Sequence, residues 1–132
     1  MTCGSLLQSN PDAFTGCQSC GLWQYRTQVV PGHGSIDAKI AFVAEAPGRD
    51  EDIKGEPLIG PAGQRFNRQL DRVGIVRDDV WLDNAVHCRP PGNAIRDCPD
   101  ALARCPDLWL FPTLAALKQL KVVVALGATA GG

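Results

Sequence analysis

The sequence predicts an α/β fold with a central parallel sheet, and three observations carry that prediction. Apolar runs at residues 39–45, 80–86 and 121–126 are rich in branched and aromatic side chains and have strand character. Two stretches with helical spacing separate them, and the order strand, helix, strand, helix, strand favours parallel strands joined by right-handed crossovers. The first strand breaks at Pro47-Gly48 into an acidic loop punctuated by glycine and proline. Ligands of open α/β sheets sit outside the carboxyl ends of the strands, so Lys39 to Gly63 is the first place to look for a site.

Taken in order, residues 1–16 are small and polar and read as a loosely ordered segment, with one domain over residues 17–132. Cys17-Gln18-Ser19-Cys20 is a CxxC, followed by Gly21-Leu22-Trp23. Residues 29–35 read as a loop, with Pro31-Gly32 as a turn and Gly34 keeping the backbone permissive. After the first strand and its loop, Ala62, Phe66, Leu70 and Val73 recur at helical spacing from Pro61 to Val73, with Gly74 as the stop. The second strand, 80–86, gives way at His87 to a loop, because Pro90, Pro91 and Gly92 cannot continue a central strand. Residues 97–120 read as a helix in two pieces, divided where Pro106 and Pro112 lack backbone donors. The third strand, Lys121 to Leu126, is nearly all apolar, as a strand buried on both faces would be.

Composition narrows the function classes. At 132 residues the chain can bury roughly two-thirds of its unfolded surface, enough for one core. With 13 basic and 14 acidic residues the formal charge is −1, so nucleic-acid contact would need a local patch. Arg65, Arg68, Arg72, Arg77, Arg89, Arg96 and Arg104 are the candidates. No basic-then-apolar leader opens the chain, and no run approaches the ~18 apolar residues of a membrane helix. A cytoplasmic, monomeric protein with no membrane association is the expectation.

In a reducing compartment six cysteines point to metal or reactive thiols more than to disulfides. Cys17 and Cys20 with two of the downstream cysteines supply four thiolates. That is the usual ligand set of a [4Fe–4S] cluster, and it would also suit a structural zinc. The wide spacing of the second pair leans towards the cluster. Cys88 and Cys105 are one choice for that pair, Cys98 can replace Cys105, and a buried cysteine can also be a small core residue. Cys3 reads as a free thiol.

Four pieces in order carry a family resemblance. They are Cys17-x-x-Cys20 with Leu22; Glu45-Ala46-Pro47-Gly48-x-x-Glu51-Asp52 with Gly55-x-Pro57 and Gly60-x-Ala62-Gly63; Asn84-Ala85-Val86-His87-Cys88-Arg89-Pro90-Pro91-Gly92-Asn93; and Cys105 before an apolar helix and Val122 to Gly127. Over residues 17–127 the chain resembles a family 4 uracil-DNA glycosylase, the iron–sulfur branch of its superfamily. The resemblance implies a three-layer α/β/α fold lacking the last strand and helix. It implies a DNA-repair hydrolase that cleaves the N-glycosidic bond of uracil in DNA. It also implies a [4Fe–4S] cluster on Cys17, Cys20, Cys88 and Cys105, although the last spacing is one residue longer than usual, which keeps Cys98 as an alternative.

Site roles follow from the same resemblance. A glycosylase flips the base out and reads its Watson–Crick edge. The Asn84 amide can donate to uracil O4 and accept from N3–H, a pattern that cytosine does not match. Backbone N–H groups at Glu45 and Ala46 can face uracil O2, where negative charge grows as N1 leaves. Glu51 is implied as a pocket acid that orders water or excludes a 5-methyl group, unless it is a solvated loop acid beside Asp50 and Asp52. Leu58 stands where the family carries a stacking phenylalanine, and Asn93 completes the substrate contacts. Ala44 replaces a usual glycine, and His87, expected at the surface, replaces a usual lysine. The family continues to a His-Pro motif that stabilises the leaving uracil, and neither His33 nor His87 matches it. Besides the enzyme, a cluster-bearing nucleic-acid-binding domain with weak or no cleavage, or a metal-stabilised domain with a structural or electron-transfer role, fits the sequence.

Overall fold

The computed structural model describes residues 16–18, 21–95 and 98–126. Cys3, Cys20, Arg96 and the tail after Leu126 lie outside these residues, as does nearly all of the segment expected to be loose. Four strands form one sheet in the order β1-β3-β2-β4: β1 (His33–Gly34), β2 (Ile40–Ala44), β3 (Trp81–Asn84) and β4 (Val122–Ala125). The three predicted strands are all present and pair in parallel around β2. The sheet is nevertheless mixed. His33 and Gly34, expected in a loop, pair antiparallel with Leu82 and Trp81 at its edge.

The helices are α1 (Arg49–Lys54), α2 (Pro61–Val73), α3 (Pro99–Cys105) and α4 (Phe111–Ala116). α2 begins with a proline and ends at Gly74 in the left-handed region, as its punctuation predicts. α1 occupies what reads as a loop; its signal is a cap rather than an apolar face, because Glu51 at its third position accepts from the Gly48 N–H. Between α3 and α4, Pro106–Leu110 forms a wide π turn with helical backbone on both sides. Pro106 and Pro112 thus lie within one continuous helical run that widens between them, where a break was expected.

Alternation along β2 covers both faces of the sheet. Ile40, Phe42 and Ala44 pack towards Leu82, Val80 and Phe66 of α2, while Ala41 and Val43 are buried on the opposite face. A second apolar cluster joins Cys17, Leu22, Val86, Cys88, Ala101, Cys105 and Trp109, so α3 and the π turn close over the loop that follows β3. β4 departs from the buried strand its composition predicts. Val122 and Val123 are each half exposed, and among the described residues β4 pairs with β2 alone, at the edge of the sheet.

Candidate active site

The carboxyl ends of β2 and β3 come together in register, with Ala44 opposite Asn84. Pairing runs on past the strands, as Ala85 N–H donates to Ala44 C=O (2.8 Å) and Val86 N–H to Glu45 C=O (3.0 Å). This extension fixes the Glu45-Ala46 turn against the chain that carries Asn84. Beyond the strand ends opens a cavity of about 780 Å³. Glu45, Ala46, Glu51, Leu58, Asn84 and Asn93, the six residues expected to touch substrate or take part in the reaction, all line it.

Asn84 is 2% exposed, and among the described residues its side-chain Nδ2 has no hydrogen-bond partner. Its backbone N–H is held by Asp83 Oδ1 at 2.8 Å. A buried donor left unsatisfied costs about 1–3 kcal/mol, so the position favours a ligand that brings an acceptor.

Glu51 is not a solvated acid. It is buried, and its two carboxylate oxygens accept from the N–H groups of Gly48 (3.0 Å), Ile59 (2.9 Å) and Gly60 (2.6 Å). Burial alone would raise its pKa, but the N–H groups of Gly60, Ile59 and Gly48 hold it below the ordinary carboxylate value. The side chain thus ties one wall of the cavity, at Gly48, to the other, at Ile59 and Gly60. Leu58, between them, is buried with φ 54°, a left-handed backbone that leucine rarely adopts. It lies directly on the first turn of α2, where a Cβ at Gly63 would collide with the Leu58 carbonyl. Asn93 also has positive φ, and its side-chain oxygen accepts from Arg89 Nε at 2.9 Å.

Sequence reasoning missed Phe66. It is the one aromatic ring among the described residues lining the cavity, and it is braced edge-on by Phe42 with ring centroids 4.9 Å apart. Periodicity places Phe66 on the apolar side of α2 but cannot tell that this side borders the cavity. Arg65 and Gln69, from the same helix, also reach the lining.

Cys17, Cys88 and Cys105 line a second, small cavity together with Arg26, His87 and Trp109. Each sulfur receives a proton donor. Trp109 Nε1 donates to Cys17 Sγ (3.3 Å), Arg26 to Cys88 Sγ (3.5 Å), and the His87 backbone N–H to Cys105 Sγ (3.3 Å). N–H and guanidinium groups aimed at sulfur are what thiolates need, so the donor set fits a thiolate-bound metal group. Cys98 is only half-buried, faces Ala94 C=O and does not line this cavity. None of Cys17, Cys88, Cys98 and Cys105 is in a disulfide. Among the described residues no three His, Cys, Asp or Glu side chains are gathered as ligands of one ion.

His87 is buried, against the expectation of a surface residue. Its Nε2 is 2.6 Å from Asp83 Oδ1 and its Nδ1 is 3.3 Å from Cys105 Sγ. Burial opposes its protonation, but the Asp83 charge and hydrogen bond, with a smaller contribution from Cys105, raise its pKa to about 10. The His87 ring therefore joins the thiol cavity to Asp83, whose Oδ1 also holds the Asn84 backbone.

The family model of the uracil DNA glycosylase superfamily matches residues 31–132. Type-4 uracil-DNA glycosylases are similar to this chain: that of Archaeoglobus fulgidus is 45% identical over 84% of this chain and 54% of its own length. The one from Sulfurisphaera tokodaii is 43% identical over 92% of this chain and 54% of its own length. The one from Thermotoga maritima is 42% identical over 86% of this chain and 58% of its own length. The chain spans about half the length of the curated relatives it matches.

Proposed function

The chain belongs to the uracil DNA glycosylase superfamily, and from that premise we propose that its cavity takes a flipped uracil and that the protein hydrolyses the N-glycosidic bond of deoxyuridine in DNA. The observation that carries this reading is Asn84, which lines the cavity outside the strand ends and whose buried Nδ2 has no partner among the described residues. Uracil O4 would supply the missing acceptor, whereas cytosine would bring a second donor to the same point. The Glu45-Ala46 turn would offer backbone N–H groups to O2 as the leaving base gains charge. Phe66 and Leu58 would contact the ring faces, and Glu51 would act by holding the two walls at the spacing a base needs.

The same reading extends to a [4Fe–4S] cluster held by Cys17, Cys20, Cys88 and Cys105, with zinc as the alternative. The choice of Cys105 over Cys98 is supported by the shared cavity. When bound, the group would act as a covalent staple between the amino-terminal segment, the loop after β3 and α3. Anaerobically purified protein is expected to show broad visible absorption and to contain iron, both lost in Cys17→Ser. A colourless protein containing zinc would favour the alternative.

A second reading is a cluster-bearing nucleic-acid-binding domain with weak or no cleavage. His87 is engaged with Asp83 and Cys105, and neither it nor His33 lines the cavity. A uracil-excision assay on single- and double-stranded oligonucleotides separates the two. Under the first reading Asn84→Ala lowers kcat/KM by about 100-fold or more, about 2.7 kcal/mol of transition-state binding. Its Tm should stay level or rise, because the variant removes an unsatisfied buried donor. Equal activity of parent and variant would remove Asn84 from the chemistry.

A further inference from the structure

Three arginines on α2 have no role in the site as described. Arg65, Arg68 and Arg72 are spaced by three and four residues, so at 3.6 residues per turn they form one narrow stripe along the helix. Leu70 and Gly63, on the opposite side, are buried, and all three arginines are exposed. The other arginines whose contacts are known direct their donors inward: Arg77 to Asn67 and Pro57 C=O, Arg89 to Asn93, and Arg26 to Cys17 C=O and Cys88. Among the described residues no carboxylate lies within ion-pair distance of Arg65, Arg68 or Arg72. The nearest acid on the same helix is Asp71, one position off the stripe and not within ion-pair distance of it.

The position of the stripe decides between an idle solvated face and a binding face. Its first member, Arg65, lines the large cavity, as does exposed Arg49 from α1. From there the stripe runs seven residues away from the cavity, about 10.5 Å along the helix. At roughly 3.4 Å of rise per nucleotide of one strand, that length matches about three phosphates. Guanidinium forks suit phosphate oxygens in pairs. With a formal charge of only −1 over the whole chain, this local patch would govern where a polyanion settles.

We propose that Arg65, Arg68 and Arg72 form the track for the phosphate backbone of the strand whose base enters the cavity. This rests on the reading of the cavity as a nucleobase pocket, and it adds which face of the protein the strand follows. The contacts are to phosphate, so they should position the strand without reading its sequence.

The test uses purified, cluster-loaded protein and labelled single-stranded oligonucleotides with and without one uracil, titrated from low to moderate KCl. Arg68→Gln/Arg72→Gln is compared with the parent and with Lys118→Gln/Lys121→Gln, two exposed lysines near the opposite end of β4 from the cavity. The expected result is that the slope of log K against log salt becomes shallower by about 0.7 per arginine, about 1.4 for the pair. The loss should be equal for both oligonucleotides, and Tm should hold in all variants. Unchanged slope in the arginine variant, or an equal change in the lysine control, overturns the track. If the parent excises uracil while the slope is unchanged, the track alone falls. If the parent neither binds nor excises, the track and the pocket reading fall together.

Discussion

Asp83→Ala is expected to destabilise the protein by about 3–5 kcal/mol, because it leaves three donors in and beside the core without their acceptor. Asp83 is 1% exposed and serves three donors: His87 Nε2 at 2.6 Å, the Asn84 N–H at 2.8 Å and Trp81 Nε1 at 3.1 Å. Removing it takes away the charge that keeps His87 protonated, so the buried ring gives up its proton and the donors of His87, Asn84 and Trp81 lose their acceptor. For a chain of this size the loss corresponds to a fall in Tm of roughly 10–20 °C. Asp83→Leu/His87→Met, which removes both charges and keeps apolar volume, should be less destabilised than Asp83→Ala alone. Denaturant melts of the three proteins decide it. A cost below about 1 kcal/mol for Asp83→Ala would mean that the pair contributes little.

Glu51→Ala should act on the site as well as on stability. It leaves the N–H groups of Gly48, Ile59 and Gly60 without their acceptor, at about 1–3 kcal/mol for each that water does not reach. A loss of roughly 3 kcal/mol is expected, with Glu51→Gln intermediate because one oxygen remains. Uracil excision should fall with it, since the two cavity walls lose their tie. The acid side gives an independent check. Because folding lowers the Glu51 pKa, its contribution is present above the ordinary carboxylate value of 4.5 and is lost as pH falls through the lower folded value. The parent should therefore lose stability on acidification more steeply than Glu51→Gln. Parallel curves would sink this assignment.

Much of the fold was legible because its signals are local. The three central strands announce themselves by branched and aromatic residues, and α2 by its spacing and by Gly74. What the sequence hid depends on neighbours distant in the chain. α1 has no apolar stripe; a carboxylate that caps its first turn and also reaches Ile59 and Gly60 holds it in place. His87 looked like a surface residue because its partner Cys105 comes much later in the chain. In the site, motif residues Glu45, Ala46, Glu51, Leu58, Asn84 and Asn93 all line one cavity, whereas Phe66 needed the packing of α2 to be seen. Cys20 lies outside the described residues, while Cys17, Cys88 and Cys105 converge on one cavity.

The order of the sheet also sets a timetable for synthesis. β2 is one of its two inner strands, yet the strand that covers one of its two flanks, β4, leaves the ribosome only some 80 residues later. At about 5–20 residues per second, that flank stays bare for roughly 4–16 s. A nascent chain in that interval displays Ile40 to Ala44 as an open apolar ribbon, so its yield in cells should depend on chaperone supply and on translation speed between codons 45 and 125.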